Sequence, residues 1–348
     1  MKKVIFLSAI ALAAAVSCSK SEVVDTKFGN EAIGFENYLG RDAQTKADVA
    51  SVESLATGGG IGIYGYYTGD PANAWADKSE ANLLQNEHLT STDKGVTWSY
   101  TNTAYWTNDT DEYTFFAYAP YSKTAASQPE GKNPQIEYTL PQTLADQVDL
   151  VYTKAIENTN VNITKRESVA LTFSHALARL SVTANAVKYA DGLTFTVTDI
   201  AISGPFNTKG TFDLAEGKWL STSTPATAPY DLTSTTGQLL TEDPYKFSEV
   251  EKNYMMMIPT AFSVEKETVD GKEVYNYDKA AKLTVTYTMT YKGATSKPVT
   301  KDVYITTPFE QGNAYVIKLT LQRDEANAIK FSVTSIPGWG TENEVPVS

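Results

Sequence analysis

Cysteine is all but absent from this 348-residue chain, and histidine nearly so: Cys18 is the single cysteine, and His88 and His175 are the two histidines. One cysteine cannot close a disulfide within the chain, so stability must come from burial. Two dispersed histidines without a second cysteine leave no zinc or iron ligand set, and no metal or other cofactor is expected. Positive charge is also short: 29 Lys and Arg against 41 Asp and Glu give a net charge of −12. That balance opposes nucleic acid and anionic lipid surfaces, and names no partner. Beyond the first residues, no apolar run approaches the roughly 20 needed to span a bilayer. Helical periodicity is scarce too, and residues 141–148 are the best helical candidate.

What is present begins with the surroundings of Cys18. Lys2 and Lys3 precede an apolar run from Val4 to Val16, followed by Ser17 and then Cys18. This is the form of a secretory signal over residues 1–17. Small residues just ahead of a cysteine resemble the lipobox of bacterial lipoproteins, whose thiol is acylated. The competing reading is an ordinary signal peptide with a chance cysteine. A lipidated Cys18 makes the chain exported and membrane-tethered, since several acyl chains hold firmly where one holds marginally.

With 42% hydrophobic and 20% charged residues, the chain has enough apolar material for real cores. Two domains are the natural expectation at this length. The 21 Tyr and 13 Phe suit half-buried pleated surfaces. Residues 18–54 read as a polar tether carrying one isolated strand, in which Ile33, Phe35 and Leu39 share a face at period two. Arg41 follows directly. Strand-like runs then recur at 61–67, 96–100, 113–118, 135–140 and 150–153. A second set occupies 168–173, 180–184, 193–202, 210–214, 254–258, 281–291, 301–306, 315–322 and 329–334. Turn residues separate them, which predicts an all-β chain of β-sandwiches. The expected domains are 55–165 and 166–348.

Residues with catalytic potential lack supporting constellations. His175 lies in a run without a nucleophile elbow and reads as a hydrogen-bonded structural histidine. Gly60, Gly62 and Gly65 fit a dinucleotide fingerprint formally, but no helix can start after them to meet a phosphate, so they read as a glycine-rich strand entry. Asp109, Asp111 and Glu112 lack the glycine and later glutamate of a calcium loop. Trp75, Trp98, Trp106 and Tyr67 could stack on sugars, although packing is the commoner fate of such residues.

An ordered set of motifs resembles the fimbrillin, or Mfa-like, family of Bacteroidetes pilus proteins. It comprises Thr45-Lys46-Ala47, Ile61 through Tyr67, Tyr113 through Pro120, and Asp149-Leu150-Val151-Tyr152. It continues with Phe173-Ser174-His175-Ala176-Leu177-Ala178-Arg179-Leu180, Pro308 through Ile317, and Ile336-Pro337-Gly338-Trp339. The resemblance implies two tandem transthyretin-like β-sandwich domains after a lipoprotein signal peptide. It also implies assembly into pili at the outer membrane surface by strand exchange, with other pilin subunits as partners and adhesion as the purpose.

The resemblance gives the isolated strand a role. A trypsin-like protease would remove it after Arg41, with Lys46 the next candidate, and an extended segment of another subunit would refill its place. Ile33, Phe35 and Leu39 are then the plugs of the removable strand. The plainer reading is a permanent first strand followed by a loop arginine. Either of two C-terminal segments can donate: Ile329, Phe331 and Val333, or Val345 and Val347 in the tail. The first can equally be the final strand of the second domain, and Pro346 costs the tail one ladder hydrogen bond. The short tail leaves a tip or anchor role open. The alternative to a non-enzymatic pilus subunit is a monomeric surface lipoprotein that binds a glycan or a host protein.

Overall fold

The computed structural model of the chain describes residues 32–39, 52–68, 75, 80–106, 112–158, 168–187, 192–225, 228–233, 237–247, 254–322 and 329–337. For 37–39, 52–53, 157–158, 223–225 and 329–337, the backbone alone is described. Cys18, Arg41, Lys46, Asp109, Asp111, Val345 and Val347 lie outside the described residues.

The described residues are mostly β, arranged in several sheets. The N-terminal part runs β1 (Phe35–Leu39), α1 (Val52–Thr57), β2 (Ile61–Tyr67), β3 (Leu84–Leu89), β4 (Tyr113–Ala119), β5 (Ala126–Ser127), β6 (Gln135–Thr139), β7 (Val151–Thr153) and β8 (Ile156–Asn158). Two residues alone separate β9 (Val169–His175) from β10 (Ala178–Ala186). Next come β11 (Thr194–Ser203), β12 (Asn207–Asp213), β13 (Lys218–Pro225), β14 (Tyr230–Asp231), β15 (Gln238–Leu239) and β16 (Tyr245–Lys246). The C-terminal part holds β17 (Met255–Met257), β18 (Glu265–Val269), β19 (Lys272–Asn276), β20 (Ala281–Tyr291), β21 (Ala294–Thr295), β22 (Val299–Ile305), β23 (Asn313–Leu321) and β24 (Ile329–Pro337).

The first sheet has the order β1-β9-β7-β4-β2-β3, with β8 also on β4. Its central strands are buried on both faces, which explains their near-continuous apolar sequence. Along β4, Tyr113, Phe115 and Ala117 enter one core while Phe116 and Tyr118 enter another. Along β2, Ile61 and Ile63 go one way, Tyr64 and Tyr66 the other. The glycines interleaved there serve these rings. A Cβ on Gly62 would lie 2.2 Å from the Tyr118 ring, and Gly60 turns the chain into β2 at φ +82°. The glycine-rich strand entry is therefore what the sequence indicated.

Among the described residues, besides the two-stranded β18-β19 hairpin, three further sheets follow: β16-β10-β23-β24 with β17 on β10, β14-β11-β20-β21 with β15 on β11 and β22 on β20, and β13-β12-β6-β5. The larger core joins residues of all of them, from Tyr66 and Phe116 through Phe212 and Leu180 to Val285 and Ile317. Residue 165 itself is outside the described set, and hydrogen bonding crosses that point in both directions. β9 completes the first sheet beside β7, while β6 pairs with β12 from Lys209↔Thr139 to Asp213↔Gln135.

Two sequence expectations are corrected. Residues 96–100 form a loop, joined to Thr90 by one isolated bridge at Ser99, and Val96 is 77% exposed. Asp93 builds that loop, accepting hydrogen bonds from the Ser91 hydroxyl, the Thr97 N–H and the Thr97 hydroxyl. Residues 141–148 hold a three-residue 3-10 turn, Leu144–Asp146, with none of it buried. Without an apolar face to bury, a longer helix has nothing to hold it.

Candidate functional site

The seat of β1 is the arrangement with most bearing on function. The strand lies at an edge of the first sheet and pairs in parallel with β9 alone, from Phe35↔Val169 to Leu39↔Phe173. Just before it, the Val169 N–H donates to the Gly34 carbonyl at 2.8 Å. Close contact makes glycine useful here, because a Cβ at residue 34 would meet Ser168 Oγ at 2.8 Å. Ile33 is 1% and Phe35 5% exposed, while Glu36 faces solvent. Phe35 packs edge-on against Phe115 at 5.5 Å and Tyr100 at 5.6 Å between centroids. Burial of each apolar plug is worth about 1.5–3 kcal/mol. Ile33 and Phe35 thus sit as the alternation requires; the Leu39 side chain lies outside the described residues.

A loop fastens the other flank. The Ile33 N–H donates to the Ala104 carbonyl at 2.9 Å, and Ala32 bridges Tyr105. The Tyr100 hydroxyl donates to the Ile33 carbonyl at 2.7 Å and accepts from the Ala104 N–H at 3.3 Å. Burial pushes the Tyr100 phenol above its ordinary pKa, with the Ala104 hydrogen bond opposing that shift and Glu87 and Tyr105 adding to it. Glu87 holds the loop in turn, accepting from the N–H groups of Thr101 and Asn102, each at 3.1 Å. This fastening reaches only the residues before β1. Along Phe35–Leu39 no second strand pairs with it among the described residues. No sequence pattern marks Tyr100 for this task, because its partners are main-chain atoms 67 and 4 residues away.

The stretches that carried the family resemblance meet elsewhere, at the handover from β9 to β10. His175 Nδ1 lies 2.7 Å from Asp149 Oδ2, both side chains buried. The Ala176 N–H donates to the Leu150 carbonyl at 2.8 Å, and the Gly312 N–H to the Leu177 carbonyl at 2.9 Å. Gln311 Nε2 donates to the Tyr152 hydroxyl at 3.1 Å and to the Gly217 carbonyl at 2.9 Å. Ala176, Leu177 and Ala178 are fully buried. His175 is accordingly a hydrogen-bonded structural histidine at the point where one strand line leaves the first sheet for the second. Arg179 continues it, stacking over the Tyr254 ring at 4.7 Å.

The remaining candidates fall apart from these sites. Ile329, Phe331 and Val333 lie on β24, which forms an antiparallel ladder with β23 of its own chain from Asn313↔Pro337 to Leu321↔Ile329. Trp106 is 1% exposed against Tyr113, and Trp75 packs on Tyr66 and Phe116. Trp98 donates its indole N–H to the Gly95 carbonyl, and Tyr67 packs on Tyr113. These four aromatics serve packing. Among the described residues, no group of three or more His, Cys, Asp or Glu side chains could hold a metal ion.

The motif side chains of this multi-sheet β fold join strands to one another. The model of the family described as fimbrillin-like matches residues 45–339. Fimbrium subunit Fim1C of Phocaeicola vulgatus is 25% identical over 377 aligned residues, covering 95% of each chain. The solved structure of a fimbrial protein from Bacteroides vulgatus superposes with a TM-score of 0.60 at 20% identity, covering 89% of this chain and all of that one. A candidate cell adhesion protein from Parabacteroides distasonis superposes at 0.51 with 12% identity, over 90% of this chain and 98% of that one. The chain belongs to the fimbrillin-like family. The family is structural, and the chain is not an enzyme.

Proposed function

We propose that the chain is a subunit of a cell-surface fimbrium that joins its neighbours by strand exchange. The carrying observation is that β1 is an edge strand held by a single parallel ladder, with Ile33 and Phe35 plugged into a core. The likeness to a fimbrium subunit from Phocaeicola vulgatus supports the reading. Cys18 anchors the exported precursor to the outer membrane by its acyl chains. Cleavage after Arg41 frees the strand and leaves α1, whose Leu55 is buried in the same core, on the retained body. Departure of β1 exposes the unpaired edge of β9 and the pockets of Ile33 and Phe35, so a replacement strand is strongly favoured.

The better donor is the tail carrying Val345 and Val347. Ile329, Phe331 and Val333 already belong to a nine-pair ladder, and donating them would break it. In this reading the chain comprises two tandem transthyretin-like sandwiches, the first completed by β9 beyond residue 165. Adhesion to a host protein or glycan is the purpose of the fibre.

Limited trypsin treatment of the purified precursor tests the proposal. The expected product is a stable core beginning at Asp42, or Ala47 if Lys46 is used, that forms a ladder of multimers on native gels. A product that stays monomeric at all concentrations would overturn it.

A further inference from the structure

Ile33 and Phe35 are buried two residues apart, yet the groups around them read different things. At Ile33 the main chain is read: its N–H donates to the Ala104 carbonyl at 2.9 Å, and its carbonyl accepts from the Tyr100 hydroxyl at 2.7 Å. At Phe35 the side chain is read. Its ring meets Tyr100 with planes 61° apart and Phe115 with planes 81° apart, edge-on in both cases. Such ring pairs stabilise beyond the area they bury, and an aliphatic side chain has no counterpart to them. Between the two plugs, a Cβ at residue 34 would meet Ser168 Oγ, so a larger residue there has to turn that hydroxyl aside.

Both walls of the Phe35 pocket are fixed against closing in on a smaller plug. Phe115 lies on β4 with neighbours on either side, Gly65 of β2 and Ile156 of β8. Its buried ring has Trp106 edge-on at 6.3 Å and Tyr113 parallel to it at 6.4 Å. A Cβ at residue 65 would come within 3.2 Å of the Phe115 ring, so glycine there leaves the ring its place. Tyr100 is fixed through its hydroxyl, which bonds both the Ile33 carbonyl and the Ala104 N–H. A main-chain bond at one plug thus sets the ring that tests the side chain of the next. A void in surroundings that cannot collapse costs the contacts it removes.

Resting on the strand-exchange reading, we propose that this seat selects its donor by the second plug. Tyr100 and Phe115 favour an incoming segment with an aliphatic residue followed two places later by an aromatic one, over a segment aliphatic at both places. The tail of this chain, Val345-Pro346-Val347, is of the second kind. With its valines in the two pockets it underfills the aromatic one and puts Pro346 at the place of Gly34. It enters the seat but gives way to the first kind. The neighbour that fits best is a different pilin subunit, one whose donor carries an aromatic residue at that spacing.

The precursor is cut with trypsin, the protease is inhibited, and the cut protein is used with its own N-terminal piece still seated, so that no emptied body need be stable. It is offered labelled peptides spanning residues 30–41, unchanged or with Phe35→Leu, Phe35→Val or Ile33→Leu, and a peptide spanning residues 338–348. Bound label is measured by native mass spectrometry. The unchanged peptide should bind about tenfold more tightly than the Phe35→Leu peptide, and by a larger factor than the Phe35→Val and tail peptides. The Ile33→Leu peptide should stay within about threefold of it. In a precursor carrying Phe115→Leu, the gap between the unchanged and Phe35→Leu peptides should narrow to about threefold or less. The peptide series on the wild-type protein decides alone where that variant does not fold. Equal affinities across the series, or a tail peptide that matches the unchanged one, would overturn donor selection and leave strand exchange standing. Entry by no peptide at any concentration would overturn strand exchange itself, and donor selection with it.

Discussion

The Tyr100 hydroxyl donates a 2.7 Å hydrogen bond to the carbonyl of Ile33, and so ties the residues just before the N-terminal strand to the loop that carries Tyr100. Replacing Tyr100 with Phe keeps the ring against Phe35 and removes the hydroxyl. The loss should be about 1 kcal/mol, the net worth of one such bond. The effect should be local. Amide exchange at residues 33–39 should accelerate, while exchange in β20 stays unchanged. Equal acceleration in both places would mean that Tyr100 supports the whole molecule.

Phe35 and Glu36 are neighbours on opposite faces, one buried and one in solvent. Phe35→Ala should cost about 3–5 kcal/mol in denaturant unfolding, because it empties a site lined by Tyr100 and Phe115. Glu36→Ala should stay within about 0.5 kcal/mol. If β1 leaves readily, the Phe35 variant should also be nicked faster by trypsin near Arg41.

The buried Asp149–His175 pair gives a third test. Asp149→Ala leaves an imidazole without its 2.7 Å partner at the β9–β10 handover and should cost about 1–3 kcal/mol. Asp149→Asn keeps an acceptor and should cost less. A double-mutant cycle with Gln311→Ala, whose amide bonds Tyr152 nearby, should show the two sites to be coupled.

Alkaline pH should loosen the fold. Burial pushes Tyr66 up to about 12 against the opposing hydrogen bond from Gln128, and burial raises Tyr64 and Tyr118 further still. A folded-state value above the unfolded one near 10 means the folded state favours the neutral phenol. The contribution is therefore complete below about pH 10 and falls as pH rises through the folded values. Urea midpoints measured from pH 8 to 12 should decline over the upper part of that range, and Tyr66→Phe should make the decline shallower.

Much of the fold could be read from residue order, and the failures have physical causes. The alternation in Val169–His175 and Ala281–Tyr291 marks strands with one buried face; β9 follows it throughout and β20 as far as Tyr287. The run Tyr113–Ala119 is apolar but for Thr114 because both its faces are covered. β3 escaped notice because Gln85, Asn86, Glu87 and His88 lie between its two buried leucines. The β18–β19 hairpin escaped because all of it is exposed, although Asp270 and Gly271, at φ +53° and +73°, are a strong turn signal. Helix α1 fell in a stretch that reads as polar, and among its described side chains Leu55 is the one buried in the core.

The site was legible to a similar degree. Ile33 and Phe35 declare themselves by spacing, whereas the fastening by Tyr100 and Ala104 runs through main-chain atoms that leave no trace in residue type. Trp75, Trp98 and Trp106 drew attention as surface aromatics because size and type cannot distinguish a packed ring from an open one.

Competition for the seat of β1 is the most direct test. The trypsin-trimmed core is mixed with a labelled peptide spanning residues 338–348, alone or with an excess of a peptide spanning residues 30–41, and complexes are followed by native mass spectrometry. The account expects a one-to-one complex with the tail peptide, displaced by the residue 30–41 peptide and weakened when Val345 and Val347 are both changed to Asp. A trimmed core that retains its own residue 30–41 fragment, and binds no tail peptide at any concentration, would contradict it.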